Sequence, residues 1–152
     1  VVKTIEVSGT PVQFFEQRGD LWLYAYDAGN VYFQSFHLDN LTKKNFLQLD
    51  IPNATSRITF GEDDRIYILT STGWPEYNDG IALTSIFDTT LIPSWKTGSG
   101  FYGIGYDSDA QQVYLANAKG FQGNGEVLVY QKSGADANKF TVGRGPSGFL
   151  FR

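Results

Sequence analysis

The sequence predicts an all-β chain assembled from repeated four-stranded sheets. Three observations predict it. Val, Ile, Thr, Tyr and Phe crowd into short runs separated by Gly, Asn, Asp and Pro, with aromatics at 16% and 17 glycines. That is the composition of short strands and tight turns. No window carries apolar residues at i, i+3, i+4 and i+7, so no sustained amphipathic helix is expected. Finally, two distant stretches read alike: "KTIEVSGTPVQFF" from Lys3 and "KFTVGRGPSGFLF" from Lys139 place Pro11 and Pro146 135 residues apart, three periods of 45.

Three similar blocks fill that span. Their clearest element is "DLWLYAYD" from Asp20, "RIYILTST" from Arg65 and "QVYLANAK" from Gln112; aligning Leu21, Ile66 and Val113 gives spacings of 45 and 47. A short apolar strand and a polar turn precede each: "VQFFEQRGD", "ITFGEDD" and "IGYDSDAQ". A Gly/Asn-rich loop and a third strand follow: "AGNVYFQSFHLD", "NDGIALTSIFD" and "NGEVLVYQKSG". Each block closes with a shorter fourth segment, "KNFLQLDIP", "PSWKTGSG" and "KFTVGRGP".

Four strands at a period near 45 are the signature of a β-propeller blade. One such sheet has two apolar faces and cannot bury both alone, whereas stacking on neighbours does so. The second strands should then be apolar on both faces, as the near-continuous "LWLYAY", "IYILT" and "VYLAN" are. The expected organisation is a single partial propeller over 1–152, with blades at about 11–53, 54–100 and 101–145 and end strands at 2–8 and 147–151. Three blades do not close a ring, since rings hold about four to eight. The expected partners therefore include remaining blades or a second copy. A β-sandwich with coincidental spacing is the competing fold.

Bulk properties narrow the function. The net charge is −4, with no Lys/Arg-rich run, so nucleic acid is not an expected partner. The longest apolar runs cover one strand, far short of the ~20 residues of a membrane helix. The chain has no cysteine, which removes disulfides, thiol catalysis and cysteine metal sites. It opens on "VVKTIEV" without Met, and a processed chain or a fragment is expected.

"IYILTSTG", "VYLANAKGFQGNGEVLVYQKSG" and "KFTVGRGPSGFLF" resemble the YVTN-type bacterial β-propellers. They are similar, more narrowly, to the surface lipoprotein propellers of Bacteroidetes, some of which capture cobalamin on outer-membrane transporters. The resemblance spans the whole chain and about half of a seven-bladed member. It implies an extracellular location at the bacterial outer-membrane surface and a partnership with such a transporter. The ligand it implies is a small molecule, cobalamin-like or a glycan. The anchoring cysteine of such lipoproteins is absent here.

Function in a propeller sits in the loops between second and third strands and between blades. Here these are "DAGN", "GWPEYNDG" and "KGFQGNG", then "SGTP", "DIPNATSR", "TGSGFYG" and "VGRGPSG". They carry Trp74, Tyr77, Phe101, Tyr102 and Phe121 beside Arg57, Arg144, Asn124 and Gln122. Flat rings beside hydrogen-bonding groups suit planar or sugar-like ligands. The candidate ligand-binding set is Trp74, Tyr77, Arg57, Arg144, Phe121, Asn124 and Tyr102. Trp74 and Tyr77 lead it, because they flank Pro75 in the longest insertion; Phe101, Tyr102 and Phe121 also suit packing between blades.

No cofactor, metal or catalytic set is expected. "GEDD" (61–64) and "DSDAQ" (107–111) invite a calcium reading, yet both fall where a tight turn wants Asp and Gly. "EYNDG" (76–80) offers carboxylates without a convergent partner. His37, the single histidine, assembles no zinc or copper set without cysteine. "GRGPSG" and "GFQGNG" open no helix and cradle no phosphate. The sequons at Asn40 and Asn53 matter only in a eukaryotic secretory route. The expected function is a non-catalytic ligand-binding module at a bacterial surface, accessory to nutrient capture. The alternatives are a lactonase-like hydrolase or lyase whose site is completed by missing blades, and a protein-interaction scaffold.

Overall fold

The computed structural model describes residues 4–88 and 90–152. Among these residues are twelve strands: β1 Thr10–Gln17, β2 Asp20–Tyr26, β3 Asn30–Phe36, β4 Lys43–Asp50, β5 Ala54–Phe60, β6 Arg65–Ser71, β7 Asp79–Ser85, β8 Leu91–Gly98, β9 Phe101–Asp107, β10 Gln112–Asn117, β11 Glu126–Gln131 and β12 Asp136–Thr141. One 3-10 turn spans Lys119–Phe121. The strands form three four-stranded sheets, β1-β2-β3-β4, β5-β6-β7-β8 and β9-β10-β11-β12. Each sheet is a meander in chain order, the blade topology that the repeats predict.

Turn chemistry sets the register. Arg18 and Gly19 both take positive φ, 50° and 78°, the geometry of a two-residue hairpin turn whose twist matches the strands; Gln17 accordingly faces Asp20. The "DSDAQ" stretch is an Asx turn: Asp107 Oδ1 accepts the N–H groups of Asp109 (3.0 Å) and Ala110 (3.1 Å). "GEDD" likewise closes the β5–β6 turn through Gly61 N–H to Arg65 O, 2.9 Å. The outermost strands are blunted against edge pairing. Lys43 and Lys44 open β4, Pro93 interrupts β8, and Asp136 and Lys139 lie exposed on β12.

The chain divides into two compact units, up to Ser56 and from Arg57. In the first, Tyr24, Val31 and Phe33 are buried. Phe33 meets Phe15 edge-on at 6.2 Å and Tyr24 at 5.5 Å. Burial pushes the Tyr24 hydroxyl pKa well above its ordinary value, with Tyr26 adding to it. Gln34, buried on β3, spends its side-chain amide on Ser8: Oε1 accepts Ser8 N–H at 3.3 Å and Nε2 donates to Ser8 O at 3.4 Å.

In the second unit the second and third sheets pack face to face. Tyr67, Leu69, Ile81 and Leu83 meet Phe101, Val113 and Leu115, with Trp95, Ile104, Tyr106, Leu128 and Tyr130 around them. Tyr67 sits edge-on to Trp95 at 5.1 Å and stacks on Tyr106 at 6.0 Å. Rings of this size in offset or edge contact add ~0.5–1.5 kcal/mol per pair beyond the area they bury.

The end segments differ from the expected strands. Residues 4–9 and 147–152 join no ladder, and positions 2 and 3 lie outside the described residues. The physical reason is the absence of a strand beside them in the described residues: the first is held through the Ser8 backbone by the Gln34 side chain, the second by side chains on the third sheet. Residues 147–151 lie over the third sheet, where Gly103 and Gly105 leave room for Ser147 and Phe149. Tyr114 there packs on Phe149 and Phe151 at 5.8 and 5.1 Å.

Candidate functional site

In the second unit the turns at one end of the sheets are tied together by backbone. Ala118 N–H donates to Gly100 O at 2.8 Å, Gly125 N–H to Gly143 O at 3.2 Å, and Val142 N–H to Gly125 O at 3.0 Å. Asn117 adds side-chain bonds, donating to Ser99 O at 3.0 Å and accepting Lys119 N–H at 2.9 Å. Loops 99–100, 118–125 and 142–146 are thereby one hydrogen-bonded surface.

Beside that surface the structure brings together three of the predicted residues. Arg57 on β5 and Tyr102 on β9 lie within strands and not on the blade-to-blade loops expected for them, because their segments pair into the sheets; Phe121 is on the loop. The Arg57 guanidinium lies 4.3 Å from the Tyr102 ring centroid, a cation–π distance. Arg57 Nη1 also donates to Ser147 O at 3.1 Å. Tyr102 meets Phe121 edge-on at 5.0 Å. The Phe121 ring rests against Gly145, where a Cβ would come within 3.1 Å of it. Tyr102 is 38% and Phe121 45% exposed, so both rings retain a solvent-facing surface. A guanidinium held over a phenol ring offers charge, hydrogen-bond donors and an apolar plane together, which suits a carboxylate or carbonyl attached to an apolar group.

The other predicted residues fall elsewhere. Phe101 is buried in the core between the sheets, the packing role that its sequence also allows. Trp74 is 81% exposed, on a loop ordered by its own bonds. In it Tyr77 N–H donates to Gly73 O at 2.8 Å and Asn78 N–H to Thr72 Oγ1 at 3.0 Å. Tyr77 follows Trp74 by three positions in the same loop, at a positive φ of 47°. Arg144 and Asn124 are exposed, and Gln122 donates to Gly120 O. His37 follows β3 in an exposed turn. A cleft of about 420 Å³ along β11 and β12 is lined by 128–130 and 136–139 and includes none of the predicted site residues.

Two charged groups carry more than the sequence indicates. Asp79, at the start of β7, is only 4% exposed; its Oδ2 accepts the Phe101 N–H at 2.8 Å, joining the second sheet to the third. In sequence it reads as one more turn residue in "EYNDG", and no local signal marks its burial. Glu126 pairs with Lys119 at 2.8 Å, and the lysine's hydrogen bond draws its carboxyl below the ordinary range. Among the described residues, no three His, Cys, Asp or Glu side chains converge as a metal site would require.

No family model matches the chain, and no curated protein matches it. Solved structures do. The chain is similar to the β-propeller domain of the Trilobed protease from Pyrococcus furiosus, described as having an open velcro topology. The TM-score is 0.59 at 10% identity, over 93% of this chain and 45% of that one. It is similar also to an acylaminoacyl peptidase in complex with Z-Gly-Gly-Phe-chloromethyl ketone, at a TM-score of 0.60 and 8% identity, over 89% of this chain and 25% of that one. This chain spans less than half the length of either. Such likeness shows the fold: the sheets are blades of a β-propeller, present in part.

The likeness also corrects the functional expectation. A non-catalytic capture module at a bacterial surface is not what these structures favour. Both belong to peptidases, which backs the hydrolase alternative. The physical reason for the error is the division of labour in such proteins. Blades supply a frame, so the lack of a catalytic triad in one stretch of blades says nothing about catalysis elsewhere in a polypeptide.

Proposed function

We propose that this chain is the propeller part of a hydrolase whose catalytic groups come from polypeptide that completes the site. The observation that supports this reading is the match of three successive blades to two peptidase structures across about nine tenths of the chain. The surface formed by Arg57 of β5, Tyr102 of β9 and Phe121 then meets the substrate. The guanidinium orients a carboxylate or carbonyl of a peptide-like substrate, and the rings hold its apolar side chain. The repeat class within propellers is the YVTN type, a reading supported by "IYILTSTG" and "VYLANAKG".

The test is an assay of the native polypeptide that contains these residues, against a panel of N-acylated peptide p-nitroanilides. Turnover that weakens mainly through KM in an Arg57→Ala variant supports the reading. No turnover above buffer, together with no labelling by a chloromethyl ketone or a fluorophosphonate, overturns it.

A further inference from the structure

The cleft of about 420 Å³ along β11 and β12 lies apart from the surface bearing Arg57. Its chemistry starts from one extra residue. Val129 faces Asn138 and Tyr130 faces Asp136, so Ala137 is a bulge in β12. Residues three apart in a regular strand point to opposite faces. Across this bulge they do not. Asp136 stands opposite Tyr130 and Lys139 opposite Leu128, and directly opposed residues share a face. The bulge therefore sets a carboxylate and an ammonium on the same face of the third sheet, above Leu128 and Tyr130.

Those two residues make an apolar floor, packed from below onto the core between the second and third sheets. Trp95 of β8 meets Tyr130 edge-on at 6.1 Å, and the Lys96 ammonium lies 4.3 Å from the Tyr130 ring centroid. Both charges above the floor can take a ligand. Lys96 Nζ reaches Asp136 Oδ1 only at 3.4 Å, and the Asp136 side chain is 88% exposed. Such a pair holds its carboxylate weakly and leaves acceptor positions on it. Glu126, the next acid on that face, is paired with Lys119 at 2.8 Å, while Lys139 is exposed.

We propose that this cleft binds a dipeptide with free ends. Its ammonium goes to Asp136, its carboxylate to Lys139, and an apolar side chain rests on Leu128 and Tyr130. Spacing selects the length. Tyr130 and Leu128 are two positions apart on β11, about 7 Å. The ends of an extended dipeptide are also about 7 Å apart, a span that a single amino acid does not cover. The binding site needs no catalytic group and stands independently of the hydrolase reading.

Calorimetric titration of the native polypeptide that contains these residues, with leucyl-leucine as the probe, tests this by binding and not by turnover. Saturable heat is expected. N-acetyl-leucyl-leucine and leucyl-leucine amide should each bind about fivefold more weakly, the weight of one solvent-exposed charge pair. In Asp136→Asn the acetyl group should make no further difference, and in Lys139→Gln the amide should make none. Both side chains are exposed, so both variants keep the fold. Absence of saturable heat, or equal binding of free and blocked dipeptides, overturns the proposal. So does a penalty for acetylation that survives Asp136→Asn, or one for amidation that survives Lys139→Gln.

Discussion

The carboxylate of Asp79 accepts the backbone N–H of Phe101 at 2.8 Å, from a side chain almost wholly out of water. It links the first residue of β7 to the first residue of β9, 22 positions later. Sheets stacked through apolar faces can slide; a buried bond between their ends sets one register. Asp79→Ala leaves the Phe101 N–H buried without an acceptor, which costs about 2 kcal/mol. Denaturant unfolding should record that loss, and a variant as stable as the parent would remove the role assigned to Asp79.

Gly103 and Gly105 should not tolerate alanine equally. A methyl at 103 comes 2.5 Å from the backbone oxygen of Ser147, which cannot move without displacing its segment, whereas one at 105 stays 2.9 Å or more from the Phe149 side chain, whose ring can turn although its Cβ cannot. Gly103→Ala should cost about 1–3 kcal/mol and Gly105→Ala less, with the order read from paired unfolding curves. The reverse order would mean that 147–151 does not lie as described.

Trp74 projects from a loop that organises itself, while Trp22 is buried and Trp95 packs between Tyr67 and Tyr130. Acrylamide should therefore quench one of the three tryptophans readily, and Trp74→Ala should abolish that fraction. The same variant should change stability by no more than about 0.5 kcal/mol, as for surface positions without packing partners.

Asp27 titrates far down. The Tyr32 hydroxyl, donating at 2.6 Å, and then the N–H groups of Gly29 and Asn30 lower its pKa from 3.8 to about 2. A carboxyl whose folded pKa is depressed contributes stability that is complete above the unfolded value and lost as pH falls through the folded one. The window is thus pH 4 down to 2. An NMR titration of the Asp27 carboxyl should show a midpoint near 2, and Tyr32→Phe should move it upward toward 3.8.

Arg57 holds Tyr102 by its charge and plane together. Arg57→Lys should behave nearly as badly as Arg57→Ala, since an ammonium cannot lie flat over the ring while donating to Ser147 O. Loss of the cation–π contact corresponds to about 0.5–1 kcal/mol, measurable as faster amide exchange around Ser147 in both variants. Parent-like exchange in the lysine variant would show that planarity is irrelevant there.

The strands were legible where pattern is local. "LWLYAY", "IYILT" and "VYLAN" became β2, β6 and β10, and the Asp-rich turns fell where their residues favour them. The third strands were less transparent, because β3 and β7 bury Gln34, Ser35, Thr84 and Ser85. A buried polar side chain looks surface-bound in sequence. Only its partner explains it: Ser8 for Gln34, Asn45 for Ser35 and Thr90 O for Thr84. Of the rim residues, the pattern placed all on loops, whereas Arg57 lies in β5 and Phe101 and Tyr102 in β9, and it did not indicate that Arg57, Tyr102 and Phe121 would come together.

By itself the sequence determined that this protein is β, in units of four strands with a period near 45. Alternation and turn residues act over a few neighbours and leave their mark in order along the chain. The tertiary structure alone decided which groups meet across 20 or more positions: the Asp79 carboxylate with the Phe101 N–H, the Arg57 guanidinium with the Tyr102 ring, Gly103 beneath the Ser147 backbone. Those meetings depend on how one sheet is stacked on the next. The energy that sets the stacking is burial of apolar faces, which depends on area and shape and leaves no periodic trace in the residues it brings together.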